Sequence, residues 1–314
     1  MIALTLQCWE GDIADAEQLT QLIADIEPER RSDVEFILSI RRGTEIKHAQ
    51  TIINIAKEKF AVARILQCKG FATGWPASPN TMWLETQMRL SVLKRDGKIQ
   101  ANWALTFEPD CILLRPDWIA LLQGDVNQAN QLGKDVVGHA HYFVDQKNRM
   151  IDHGFHHING NALFKIGILK KYSAFQRDGD PLVGWDAFHG ELLLKIGMDT
   201  PNIYQMYRMR EIDRKTLENI RKDGQIPSLF HGLKKSIGIP IIRSMIQDGT
   251  FYSRIFDKDP IHEHAEFNPH EHIDFHPQLC EGQGVAETVP ASTSEEAPES
   301  GDPAIGGRGS DPEE

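Results

Sequence analysis

The sequence predicts an α/β fold, a mainly parallel sheet with helices on its flanks. Two observations carry that expectation. From residue 2 to residue 68, short apolar runs alternate with longer segments of helical spacing. Strand, helix, strand, helix, strand in that order implies right-handed crossovers and parallel strands. The later run Trp103 to Phe107 is apolar but for the β-branched Thr106, as suits a strand covered on both faces.

In order, Ile2 to Gln7 reads as the first strand and Cys8 to Asp12 as a polar loop. Ala14 to Ile26 reads as a helix, and Val34 to Ile40 as a second strand ending in Arg41, Arg42 and Gly43. His48 to Phe60 has near-helical apolar spacing, and Val62 to Cys68 reads as a third strand. Gly70 to Asn80 is a Gly- and Pro-rich loop, with Asn80 or Thr81 as the cap of the next helix. After the Trp103 strand, Pro116, Asp117 and Trp118 start a short helix. Asp135 to Val144 reads as a strand that places His139 and His141 on one face. Residues 152–161 form a polar loop with His156, His157, Asn159 and Asn161, followed by the apolar segment Ala162 to Leu169. Gly184, Trp185 and Asp186 lead into another helix, where an acid near the start suits the dipole. Beyond residue 277 the composition is that of a disordered acidic tail.

At 314 residues and 40% hydrophobic composition the chain can bury a full core. Residues 1–260 are expected to form one domain, with a half at 1–122 and a second at 123–260. A His-rich extension at 261–276 and the tail at 277–314 follow. The formal net charge is −11, but 261–314 holds thirteen acids and one arginine, which leaves 1–260 near neutral. Within 203–258 there are eleven Lys/Arg against six Asp/Glu, a basic surplus that leaves room for a polyanionic acceptor without being a nucleic-acid motif. No apolar run reaches the roughly eighteen residues of a membrane span. No signal peptide is read at the N-terminus, and four scattered cysteines fit reduced thiols, so a cytoplasmic location is expected.

The chemistry centres on Glu108, Pro109 and Asp110. Two acids one residue apart at a strand end point to the same side, and the proline between them stops ladder pairing. Held together at the carboxyl edge of a parallel sheet, they repel unless a positive species sits between them. A divalent cation, Mn²⁺ or Mg²⁺, with a diphosphate suits that geometry. The simpler reading is an exposed turn, since this composition is also common turn chemistry. Asp186 by itself is explained equally well as a helix-start acid, and His231 by itself as a structural histidine.

Together these features resemble the nucleotide-sugar-dependent glycosyltransferases of the GT-A fold. The glycine-rich loop at 70–80 followed by a helix, Glu108-Pro109-Asp110 in place of the D-x-D metal motif, Trp185-Asp186 at a helix head, and His231 with Gly232 and Lys234 fall in that family's chain order. The resemblance covers roughly residues 1–240. It implies a GT-A-like (Rossmann-like) sheet and a metal-dependent enzyme that moves a sugar from a nucleotide sugar to a hydroxyl. The expected donor is a UDP-sugar such as UDP-glucose. It implies Asp110, Glu108 and His231 as metal ligands. Trp9, Arg41, Trp75, Asn80, Glu108 and Lys234 become donor contacts, and Asp186 the base, which favours inversion. His156, His157, Asn159, Asn161 and Trp185 become acceptor contacts. The acceptor is a glycan or a hydroxymethylated DNA base. Two departures stand out: a glutamate opens the metal motif, and Trp185 stands where an acid is common. A nucleotidyltransferase would need a basic glycine-rich loop after the first strand, whereas Cys8 to Asp12 is acidic. A non-catalytic carbohydrate-binding or scaffold protein on the same fold is the third reading.

Overall fold

The computed structural model describes residues 1–70, 74–141, 156–176, 183–210, 227–233 and 235–252, with the backbone alone at 141, 176, 206–210, 232–233 and 235–237. The described residues all lie in the unit Met1–Pro260. Lys234, the His-rich extension and the acidic tail lie outside the described residues.

The first strands and helices are β1 (Ile2–Cys8), α1 (Ile13–Ile26), β2 (Arg31–Ile40), α2 (Ile46–Lys59) and β3 (Phe60–Gln67). Then come α3 (Ala77–Arg95), β4 (Trp103–Phe107), β5 (Cys111–Leu113), α4 (Trp118–Gln131), β6 (Val136–Gly138) and β7 (Ala140–His141). The second half carries β8 (His157–Ile158), β9 (Ala162–Lys165), α5 (Ile168–Lys171), α6 (Trp185–Phe188), α7 (Gly190–Ile196) and β10 (Gly197–Asp199). It ends with β11 (Ile203–Arg210), β12 (Leu229–Leu233) and α8 (Lys235–Gln247).

The main sheet has seven strands in the order β10-β6-β9-β4-β1-β2-β3. β1 pairs parallel with β2 and with β4, and β2 pairs parallel with β3. β9 runs against both β4 and β6, so it is the reversed strand of a mainly parallel sheet. Alternation along β1 sorts its two faces. Ile2, Leu4, Leu6 and Cys8 join the cluster made with α1, α2, α4 and α8, whereas Ala3 joins Met82 and Leu90 of α3 on the other face. Every residue of β4 is buried, as its apolar run requires. Trp103, Phe107 and Trp118 are among the largest fully buried side chains. Burying a large apolar side chain contributes roughly 1.5–3 kcal/mol before entropy is counted.

A smaller sheet, β11-β12-β5, sets β12 antiparallel to β5 and opposes His231 to Cys111, the residue after Asp110. Its last partner, β11, brings Gln205 opposite His231.

Two local expectations need correction. The helix after the glycine-rich loop begins at Ala77, with Pro76 at the cap position, so Asn80 lies in its first turn and is not the cap. The strand expected at 135–144 stops at Gly138, because the chain changes partners there. β6 pairs with β9 and β10, whereas β7 pairs with β8. His139 falls at that break, with its ring 4.7 Å from the ring of Tyr204.

Candidate active site

The carboxyl ends of β1, β2 and β4 meet the first turn of α3 at a cleft, where open α/β sheets bind their ligands. The cleft holds two cavities of about 540 Å³ and 330 Å³ that share Gln7, Trp75, Pro79 and Glu108 in their walls.

Its floor is the turn after β4. The Cys111 amide donates to the Glu108 carbonyl at 3.1 Å, which closes the turn and leaves Glu108 and Asp110 on one side of it. His231 comes across from β12. Its Nε2 lies 2.9 Å from Asp110 Oδ2 and 3.6 Å from Glu108 Oε2. One ligand atom from each of the three residues lies within 4.8 Å of the others. His231 Nδ1 is hydrogen-bonded to Gln205 Oε1. An amide oxygen only accepts, so Nδ1 carries the proton and Nε2 is turned toward the acids. Gln205 is thus the orienting partner of the histidine, and the sequence reading missed it. Its signal is the register of β11 on β12, which local spacing does not carry.

Loss of solvent and then the Asp110 carboxylate push the Glu108 carboxyl above its ordinary range, while His231 pulls it down. The Glu108 side chain is still 46% exposed, so water screens part of that effect. Two acids this close need positive charge between them, supplied by a protonated His231 or by a cation. Two carboxylates and an imidazole nitrogen are a donor set that fits Mn²⁺ well and Mg²⁺ acceptably.

Asp186 stands in the wall of the larger cavity. Its Oδ2 accepts from the Gly160 amide at 3.0 Å and from Asn159 Nδ2 at 3.5 Å, and its Oδ1 accepts from the Ala187 amide at 2.9 Å. Gly184 leaves room for this arrangement, since a Cβ there would lie 2.7 Å from Asp186 Oδ1. Buried His157 places Nε2 3.9 Å from Asp186 Oδ2. Asn159 and Asn161 tie the acid to the floor. Asn161 accepts from the Glu108 amide at 2.9 Å, and its Nδ2 donates to Asn159 Oδ1 at 3.0 Å. Both asparagines line the cavity, but those amide contacts already hold the loop together. His156 precedes β8 and lines neither cavity.

Trp185 is mostly a packing residue. It is 9% exposed and stacks on Trp83 with ring centroids 3.6 Å apart, while still forming part of the cavity wall. Asn80, expected as a donor contact, bridges backbone from the cavity wall. Its Nδ2 donates to the Val183 carbonyl at 3.2 Å, and its Oδ1 accepts from the Trp185 amide at 2.9 Å. It lines the larger cavity, not the smaller one.

The smaller cavity brings together Trp9, Arg41 and Trp75. Trp9 is 50% exposed and Trp75 76% exposed, so both present open ring surface. Asp12, which the sequence reading passed over, lines the same cavity. Cys8 lines it too, but burial, with Asp12 and Glu10 adding to it, pushes the thiol up to about 12. It stays protonated at neutral pH and is no nucleophile.

No protein-family model matches the chain, and no curated protein does. Solved structures give low-identity likenesses. A galactosyltransferase, LgtC, in complex with donor and acceptor sugar analogs is 11% identical, with a TM-score of 0.45, over 78% of this chain and 95% of that one. Residues 1–349 of S. aureus TarS with UDP-GlcNAc are 9% identical, with a TM-score of 0.41, over 70% of this chain and 64% of that one. A mannosyltransferase from Pyrobaculum calidifontis with GDP-Man and Mn²⁺ is 10% identical, with a TM-score of 0.39, over 60% of this chain and 50% of that one. Against those last two the chain spans between half and two thirds of their length. The architecture is the mainly parallel α/β sheet flanked by helices that the sequence predicted, with the acidic turn at the carboxyl end of β4. Among the described residues, no helix is long and apolar enough to cross a membrane.

Proposed function

We propose that the chain is a metal-dependent glycosyltransferase that moves a sugar from a nucleoside-diphosphate sugar to a hydroxyl. One observation carries the reading: Glu108, Asp110 and His231 converge at the seam of two cavities, one aromatic and cationic, the other holding a fixed carboxylate. Glu108, Asp110 and His231 would hold Mn²⁺ or Mg²⁺, and the bound cation offsets charge that develops on a leaving diphosphate. Trp9 and Trp75 offer ring faces to a base, and Arg41 offers a cation to the same ligand. The sugar then occupies the larger cavity. Asp186 accepts the proton of an acceptor hydroxyl there, and its bonds to the amides of Gly160 and Ala187 fix the direction of its remaining lone pairs. One base on the acceptor side implies inversion of the sugar. Gln205 keeps His231 in the tautomer that leaves Nε2 for the cation.

The test is a donor-hydrolysis screen of UDP-, GDP- and other nucleotide sugars with Mn²⁺ and with EDTA. Panels of glycan and hydroxymethylated-DNA acceptors follow. UDP-sugar cleavage that needs the metal is the expected result. Nucleotide binding without any turnover would mark a non-catalytic binder, and neither would end the reading.

A further inference from the structure

Gln7 is the one residue of β1 that is not fully buried, and both cavities have it in their walls. Its amide is fixed by what lies behind it. Gln7 Nε2 donates to Thr86 Oγ1 at 2.8 Å and points to the Met82 carbonyl at 3.4 Å. The Thr86 hydroxyl spends its own proton on that same carbonyl at 2.7 Å. Ser39 Oγ, 2.8 Å away, completes the threonine oxygen. The side chain therefore has one orientation. A flipped amide would set its oxygen against the Met82 carbonyl, which only accepts, and against a hydroxyl whose proton is already used. With the nitrogen held toward α3, Oε1 is the end left for the cleft. Among the described residues, no donor reaches it.

We infer that Gln7 Oε1 is a specificity element that accepts a hydrogen bond from a ribose hydroxyl of the nucleotide. The inference rests on the nucleotide-sugar reading and adds to it. A neutral carbonyl oxygen repels phosphate oxygens and selects a donor group. Its place is the seam, between the cavity of Trp9 and Trp75 and the acids at Glu108 and Asp110. In a nucleoside diphosphate the group between base and diphosphate is the ribose. The two bonds that hold the amide also pre-order it, so a ligand hydroxyl meets an acceptor that loses little freedom on binding.

The test is titration calorimetry with Mn²⁺. UDP, GDP, CDP and ADP are compared first, and the tightest binder is then set against its 2′-deoxy and 3′-deoxy forms. At least one deoxy form should bind wild type about five- to tenfold more weakly, the usual size of one neutral hydrogen bond. In Gln7→Met, which keeps length and loses the carbonyl, that ratio should fall to near one. Thr86→Val, which keeps Gln7 and removes its anchor, should lower the ratio as well. Equal binding of all three forms by wild type would overturn the assignment while leaving the nucleotide-sugar reading in place. So would a ratio that persists in a folded Gln7→Met variant. If no nucleoside diphosphate binds wild type, both fall together.

Discussion

Replacing Asp125 by asparagine should stabilise the chain at neutral pH, and the size of the gain follows from its surroundings. Asp125 sits on the inner face of α4, 8% exposed. It accepts from the Thr200 hydroxyl at 2.8 Å and from Asn202 Nδ2 at 3.0 and 3.1 Å. Among the described residues, no cation is one of its partners. Burial therefore wins over the two neutral donors and pushes its carboxyl from 3.8 up to about 6. Between these values the native state keeps a proton that the unfolded chain has released. Stability thus falls as pH rises from about 4 to about 6 and is flat above that. Two pKa units correspond to about 3 kcal/mol, at about 1.36 kcal/mol per unit. In Asp125→Asn the amide oxygen can accept from Asn202 and the amide nitrogen can donate to Thr200 Oγ1, so the new side chain finds partners without a charge. Imperfect geometry in that exchange costs up to about 1.5 kcal/mol, which leaves an expected gain of about 1–3 kcal/mol at pH 7.5. Urea unfolding of both proteins at pH 4, 5, 6 and 7.5 reads the difference. It should start near zero or slightly unfavourable at pH 4 and grow to its full value above pH 6. A difference independent of pH would show that Asp125 does not titrate as its burial demands.

Three further outcomes concern the cleft. Asp110→Asn removes one charge with little change of shape, so Mn²⁺-dependent turnover should be lost while the melting temperature holds; near wild-type activity in EDTA would contradict a metal site. Asp186→Asn should lower kcat by about 10²–10⁴-fold with little change in the donor KM, since a base acts on the acceptor hydroxyl in the transition state. A variant that melts lower yet turns over normally would reduce Asp186 to a helix-start residue. Gln205→Leu should weaken Mn²⁺ binding by about 10–100-fold by freeing the His231 ring, the usual cost of losing an orienting partner; unchanged metal affinity by calorimetry would show that His231 is held by something else.

What the sequence makes legible is what local period encodes. The buried run at Trp103 to Phe107 announced β4, and the acids after it announced the floor of the cleft. Trp9, Arg41 and Trp75, expected together as donor contacts from distant parts of the sequence, line one cavity. What stayed hidden depends on register and on long-range partners. Gln205 meets His231 only because β11 pairs with β12, and Gln7 meets Thr86 across 79 positions. Asn80 was misread as a cap because the helix starts three residues earlier at Ala77, which frees its amide to bridge Val183 and Trp185. Asn159 and Asn161 line the larger cavity, and the bond from the Glu108 amide to Asn161, which ties that wall to the floor, is a long-range feature that a polar loop's composition does not carry.

The pairing of His231 with Cys111 also bears on how the protein is made. The two carboxylates of the acidic turn emerge first during synthesis and oppose each other as neighbours. The imidazole that completes them arrives on β12, after the seven strands of the main sheet have been synthesised. A nascent chain that ends before β12 lacks His231 and so cannot form the three-residue centre. Completion of that centre is therefore tied to a late docking event, in which a short strand lies down beside β5. A bound cation would act as a clasp on that step, favouring the finished chain over every shorter one.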